Sequence, residues 1–83
     1  MAYVYILKSI NHPKTYTGST DRTIEARLAE HNNGFSTYTK RFAPWKLIYS
    51  EEFENLLDAR LREQYLKSAA GRRFIKKNNI VRE

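Results

Sequence analysis

The stretch YVYILKSINHPKTYTGST, residues 3–20, decides the fold of this 83-residue chain. Its first part, residues 3–9, is mostly β-branched and aromatic, which is typical of a strand buried on both faces. Residues 15–20 are rich in Thr and Tyr and predict a second strand. Because Pro13 and its neighbours favour a turn between them, we expect an antiparallel hairpin with a rather long loop.

Gly18 interrupts the second strand. Glycine weakens a strand interior, and it often marks a bulge or a place where another group approaches the backbone closely. Two interpretations stay open: a bulge that eases the twist of the sheet, or a cleared space beside Tyr16, which shares a strand face with Gly18.

The rest of the chain predicts one more strand and three helices. Pattern and capping residues give a helix over 21–34 (capped by Asp21 or Thr23), a strand over 45–53, a helix over 55–71 (from Asn55 to Gly71) and a short helix over 72–80. Residues 35–44 are expected to form a basic, aromatic loop. The order β-β-α-β-α-α predicts an α+β fold: a small three-stranded antiparallel sheet flanked by helices.

Length and composition exclude several classes of protein. A chain of 83 residues is expected to form a single domain, 1–83. It contains no cysteine, which excludes disulfides and thiolate metal sites. The apolar run Val4–Leu7 is too short for a signal peptide or a membrane span. We therefore expect a cytoplasmic protein without a membrane partner.

The net charge of +6 is concentrated at one end of the chain. Residues 1–59 contain seven Lys and Arg and seven Asp and Glu, whereas residues 60–83 contain eight basic and two acidic residues. Such an asymmetry indicates a polyanionic partner, with nucleic acid as the first candidate. The alternative is a solvated basic helix that only aids solubility.

Two polar residues lie on the apolar side of the first predicted helix. At helical spacing, Arg27 and His31 share the side of Ile24 and Leu28 that should face the sheet, while Glu30 points elsewhere. One interpretation is a functional pair. The other is an arginine that extends past the edge of the core and a histidine that bonds a backbone group.

The longest helix carries a carboxylate in its apolar stripe. Glu63 falls between Leu56 and Leu66 on the helical wheel, and carboxylates are rarely buried unless they are paired or bind a metal. An ion pair with Lys67 or Arg60, both at helical spacing, is the structural alternative.

The sequence contains few of the motifs that are typical of catalytic sites. The sequence contains no HExxH motif, no P-loop and no cysteine nucleophile. One carboxylate, an arginine, a histidine and several strand tyrosines suit phosphodiester chemistry with one hard cation, because Mg²⁺ commonly takes only one or two carboxylates.

These residues, in their order and spacing, resemble the GIY-YIG nuclease superfamily. The likeness rests on Tyr3-Val4-Tyr5, Tyr16-Thr17-Gly18, Arg27 with His31, and Glu63, and it covers nearly the whole chain. The chain is similar to small stand-alone bacterial members, which resemble the N-terminal nuclease domain of the bacterial excision-repair incision subunit. Two positions depart from the motifs, since Tyr3 replaces a glycine and Thr17 an isoleucine.

The resemblance implies cleavage of DNA that depends on Mg²⁺ or Mn²⁺. It implies catalytic roles for Tyr5, Tyr16 and Arg27, a supporting role for His31, and metal binding by Glu63. The family asparagine beyond the glutamate helix has Asn78 and Asn79 as candidates. We expect the Tyr5 and Tyr16 hydroxyls, Arg27 and Glu63 to converge on one concave surface that solvent reaches.

We further expect a set of residues to contact nucleic acid, mostly through phosphates. They are Gly18, Lys40, Arg41, Arg72, Arg73, Lys76 and Lys77. In this hypothesis Gly18 leaves room for the nucleic-acid backbone or for Arg27. The functional alternatives are an inactive nucleic-acid-binding module on the same scaffold and a domain that binds an acidic protein.

Overall fold

The computed structural model describes residues 1–81 and has the predicted α+β architecture. A three-stranded antiparallel sheet is flanked by helices, which confirms the predicted fold class. The elements are β1 (Ala2–Ser9), β2 (Thr15–Thr20), α1 (Ile24–Asn32), α2 (Thr37–Arg41), β3 (Trp45–Phe53), α3 (Leu56–Lys67) and α4 (Ala69–Lys77). Within residues 1–81, no helix has the length and apolar character needed to cross a membrane.

The sheet has the order β2-β1-β3, so β1 is central and buried on both faces, as its sequence predicts. One face carries Val4 and Ile6, which pack with Leu66 of α3 and with side chains of α4. The opposite face carries Tyr5 and Leu7, which pack with Trp45 and with side chains of α1. The sheet therefore separates two small cores.

The register of the hairpin decides which side chains meet. Tyr5 pairs with Gly18 and Leu7 with Tyr16, while Val4 pairs with Ser19. Because side chains alternate along a strand, Tyr5, Tyr16 and Gly18 share the face packed against α1, and Ser19 lies on the face packed against α3.

Helix caps follow the sequence closely. The hydroxyl of Thr23 accepts the N–H of Ala26 at 3.2 Å, so Thr23 rather than Asp21 caps α1. Asn55 caps α3, as predicted, by accepting the N–H of Asp58 at 2.9 Å.

The segment 35–44 is not simply a loop, because it contains the short helix α2. Tertiary contacts hold this helix. Thr39 is fully buried, and its carbonyl accepts the indole N–H of Trp45 at 2.7 Å. A helix of five residues is too short for its own sequence pattern to predict it.

The helix predicted over 55–71 is two helices. α3 ends at Lys67, and Ser68 ends it and also caps α4 by accepting the N–H of Gly71 at 3.2 Å. Gly71 therefore lies inside α4 instead of stopping a helix, and α4 starts before the predicted position. A side chain at Gly71 would meet the carbonyl of Tyr65, so glycine permits the close approach of the two helices.

Candidate active site

The first half of the candidate site is a buried chain of hydrogen bonds that starts at Tyr5. Tyr5 is 1% exposed, and its hydroxyl lies 3.0 Å from His31 Nε2. His31 Nδ1 lies 3.0 Å from the Thr39 hydroxyl, which donates to the carbonyl of Ser36 at 3.3 Å. Since the hydroxyl proton of Thr39 is used there, His31 Nδ1 is the donor to Thr39 and His31 Nε2 accepts from Tyr5.

Both rings in this chain are uncharged at neutral pH. Burial, aided by the positive charge of Arg27, lowers the pKa of His31 to about 4. Burial raises the pKa of Tyr5 to about 12, although Arg27 acts in the opposite direction. Tyr16 and Glu63 also raise the pKa of Tyr5.

Tyr16 lies beside this pair and is half-buried. Its ring centroid is 6.3 Å from that of Tyr5 and 4.8 Å from that of His31. The two tyrosines are thus neighbours, as the hypothesis requires. The expectation that both hydroxyls lie on a solvent-reached surface is wrong for Tyr5, which is buried.

Gly18 lacks a side chain at the point where the ring of Tyr5 lies over β2. A Cβ atom at Gly18 would lie 2.5 Å from the Tyr5 hydroxyl oxygen and 2.9 Å from Tyr16 Cε2. The space above Gly18 therefore holds the hydroxyl end of the Tyr5 ring. Glycine at this position lets Tyr5 lie across the neighbouring strand.

Arg27 of α1 lowers the pKa of the Tyr5 hydroxyl and is oriented by Glu30. Its Nη1 donates to Glu30 Oε1 at 2.8 Å, and the Arg27 side chain is 27% exposed. Glu30 also binds Arg22, and these two arginines lower the pKa of the Glu30 carboxyl to about 2. Glu30, expected to point elsewhere, is thus the partner that holds Arg27.

The second half of the site lies on the opposite face of β2. Glu63 Oε1 accepts the hydroxyl of Ser19 at 2.6 Å, and Glu63 Oε2 forms an ion pair with Lys67 Nζ at 2.6 Å. Of the two partners that helical spacing offered, the structure therefore has Lys67. The Glu63 side chain is 21% exposed, so it lies at the surface and not under the core.

Glu63 would hold a cation largely alone. Among residues 1–81, no group of three or more His, Asp or Glu side chains is arranged to bind a metal. A single, partly exposed carboxylate still suits Mg²⁺ or Mn²⁺ where water and a substrate phosphate complete the shell. The donor set therefore fits such an ion, provided that Lys67 yields its place on Oε2.

Of the predicted nucleic-acid contacts, Arg72 and Lys76 line clefts at the free edge of β2. Lys40 and Arg41 are exposed on α2, and four exposed basic residues lie on α4: Arg72, Arg73, Lys76 and Lys77. Two adjoining clefts of about 850 and 510 Å³ run along this edge. Both are lined by Thr15, Thr17, Arg72 and Ile75.

The asparagine candidates have other partners. The Asn78 side chain donates to the carbonyl of Phe74 at 2.8 Å and so caps α4. Asn79 adopts a left-handed conformation with φ of 53° and lines the larger cleft. Within residues 1–81, neither side chain has a hydrogen bond to Glu63.

Sequence reasoning missed three residues that hold the site together. Glu30 lies three residues from Arg27, a helical spacing that could have indicated the pair. Strand alternation places the Ser19 side chain on the face of β2 that Gly18 does not share, but nothing in the sequence pattern links Ser19 to Glu63. No local signal links Thr39 to His31.

Comparison with known proteins gives a consistent result. Residues 1–79 match the family model described as the GIY-YIG catalytic domain. A UPF0213 protein of Clostridium perfringens is 47% identical over 68 residues, covering 81% of this chain and 71% of the relative. A UPF0213 protein of Staphylococcus haemolyticus is 39% identical over 75 residues, covering 89% of each chain. No solved structure gives a significant match. The chain therefore belongs to the GIY-YIG catalytic domain family, a family of nucleases.

Proposed function

We propose that this protein is a divalent-metal-dependent endonuclease that hydrolyses phosphodiester bonds of DNA, with DNA repair or processing as its setting. One observation carries the proposal. The Tyr5 and Tyr16 rings lie side by side with centroids 6.3 Å apart, the centroid of His31 lies 4.8 Å from that of Tyr16, and Glu30 holds Arg27 on the helix that carries His31. Membership of a nuclease family supports the reaction class.

Arg27 is the group proposed to bind the reacting phosphate. Its guanidinium has five N–H donors, and the ion pair with Glu30 fixes its direction while leaving other donors available. Charge-assisted hydrogen bonds from a fixed guanidinium are strong and stabilise charge that builds up on phosphate oxygens in the transition state.

The two tyrosines are proposed to have different roles. Tyr16 is half-buried, lines the smaller cleft and is the tyrosine that orients or deprotonates the attacking water. Tyr5 is a positioning residue, because its hydroxyl is bonded to His31 and its pKa is raised to about 12. A neutral His31 accepts a hydrogen bond from the Tyr5 hydroxyl and keeps this hydroxyl in one orientation.

Glu63 is the proposed ligand for Mg²⁺ or Mn²⁺. When bound, such an ion supplies Lewis-acid stabilisation of phosphate oxygens and of the leaving group. The hydroxyl of Ser19 holds one carboxylate oxygen in place, so Glu63 is oriented before any cation arrives.

The basic side chains of α2 and α4 are proposed to follow the nucleic-acid backbone. Arg72 and Lys76 line the clefts at the edge of β2. Contacts of this kind are salt-sensitive and largely independent of sequence.

The test is cleavage of a labelled panel of single-stranded, duplex, branched and nicked DNA, together with RNA. The reaction is run with Mg²⁺, with Mn²⁺ and with EDTA. We expect cleavage of DNA with either metal, no cleavage with EDTA, and loss of roughly a hundredfold or more in rate for Glu63→Gln. Glu54→Gln is the matched control, since Glu54 is an exposed glutamate just before α3.

Two outcomes contradict the proposal. Equal cleavage by the wild type and Glu63→Gln removes Glu63 from the mechanism. Salt-sensitive binding without cleavage of any substrate identifies the protein instead as a nucleic-acid-binding module on a nuclease scaffold.

A further inference from the structure

Both oxygens of the Glu63 carboxylate are already occupied by side chains of this chain. Ser19 donates to Oε1 at 2.6 Å, and Lys67 Nζ lies 2.6 Å from Oε2. Within residues 1–81, Lys67 is the one cation within 4 Å of Glu63.

The two partners differ in how firmly they are held. Ser19 is half-buried on β2, and its backbone is fixed by pairing with β1. Lys67 is the last residue of α3, and its side chain is 53% exposed on a flexible stem. Ion pairs of such exposure are weak, so the ammonium can leave the carboxylate at little cost.

Lys67 has another destination close by. It lines the cleft of about 510 Å³ together with Arg72, Tyr16 and Tyr38. A phosphate in this cleft would offer Lys67 a second anionic partner beside Arg72.

We propose that Lys67 is the resident counter-ion of the cation site. Its ammonium occupies the position on Glu63 Oε2 that a divalent cation needs, and cation binding releases Lys67 toward the phosphate cleft. This inference rests on the proposed function in one respect, namely that Glu63 binds the cation. Lys67 is a positioning residue here: it keeps Glu63 aligned, and it sets the cation concentration at which the site fills.

Removing Lys67 should affect cation affinity differently in this proposal than if the ion pair were purely structural. If Lys67 competes with the cation, its removal strengthens cation binding. If Lys67 only stabilises α3, its removal leaves cation affinity unchanged or weakens it by loosening Glu63.

The experiment titrates Mn²⁺ into the full chain without nucleic acid and measures free Mn²⁺ by electron paramagnetic resonance. The variants are wild type, Lys67→Met, Glu63→Gln, the double variant and Lys46→Met. Lys46 is an exposed lysine on β3, at the opposite edge of the sheet, and it controls for the loss of one positive charge.

We expect Lys67→Met to bind Mn²⁺ about threefold or more tightly than Lys46→Met, because the weak ion pair no longer has to be broken. In the Glu63→Gln background the same substitution should have no effect, which isolates the coupling between the two residues.

Lys67→Met that binds no more tightly than Lys46→Met overturns the inference. If Glu63→Gln still weakens binding in that case, the cation site of the proposed function stands and only the competition is wrong. If Mn²⁺ binding is independent of Glu63 in every variant, both the inference and the proposed cation ligand are wrong.

Discussion

The two faces of β2 carry the two halves of the candidate site, and they are built in opposite ways. On one face, Tyr5 and His31 are buried, uncharged and joined by hydrogen bonds that end at the backbone. On the other, Glu63 is charged, partly exposed and held by one fixed and one mobile partner.

We therefore expect the first face to stabilise the fold and the second face to exchange its bound partners. Buried polar groups that are fully bonded cost much to disturb, so the tyrosine face should resist change and contribute to the stability of the fold. An exposed ion pair contributes little, so the glutamate face can trade partners without unfolding the protein. Each of the following predictions tests whether the two faces behave so differently.

The largest effect is expected for Gly18→Val. The added side chain would enter the space of the Tyr5 and Tyr16 rings, and we expect a loss of about 3 kcal/mol in the free energy of unfolding. Urea denaturation measures it. The control is Thr17→Val, a substitution of nearly equal shape at the preceding residue, whose side chain lies on the opposite face, and it should change stability much less. A Gly18→Val protein as stable as the wild type would contradict the observed packing.

A smaller effect is expected from acid. Because the pKa of His31 is about 4 in the folded protein and about 6.5 ordinarily, the unfolded chain binds this proton more tightly. The contribution of His31 to stability should therefore be nearly constant from pH 7 to 9 and fall as the pH drops from 6.5 toward 4, by about 2 kcal/mol between pH 7 and 5. Urea denaturation across this range measures the slope.

His31→Gln is the control for acid, since glutamine keeps hydrogen-bonding groups but does not titrate. We expect its slope between pH 7 and 5 to be nearly flat. An unchanged slope in this variant would assign the acid sensitivity to other groups.

The smallest effect on stability is expected for Ser19→Ala. The variant loses the donor to Glu63 Oε1, but Lys67 and solvent still reach the carboxylate, so the free energy of unfolding should fall by about 1 kcal/mol or less. Cleavage should fall more clearly, because Glu63 is no longer oriented. Ser50→Ala, at an exposed serine of β3, is the control for both measurements. A loss of stability as large as that of Gly18→Val would mean that the two faces are alike.

Local patterns predicted the hairpin and the helix N-caps Thr23 and Asn55. Alternation along β2 and the spacing of Glu63 and Lys67 depend only on near neighbours, and the structure has both. The contact of Ser19 with Glu63 joins residues 44 apart in sequence, and it depends on how α3 lies on the sheet. The contact of His31 with Thr39 depends on a short helix that tertiary packing forms.

One residue between α3 and α4 favours a helix start, but its neighbours favour a continuous helix. Ser68 is a favoured N-cap residue, but it lies within a run of good helix formers and small residues before Gly71. Glycine at such a position is typical of a helix end, whereas here its lack of a side chain serves the contact with the end of α3.

β2 is six residues long, and the two halves of the candidate site lie on its two faces. Deleting one residue from such a strand moves every later side chain to the other face. A serine would then lie under the tyrosine ring and a threonine would face the glutamate, so both halves would be lost together. The site therefore depends more on the length of this strand than on the identity of most of its residues.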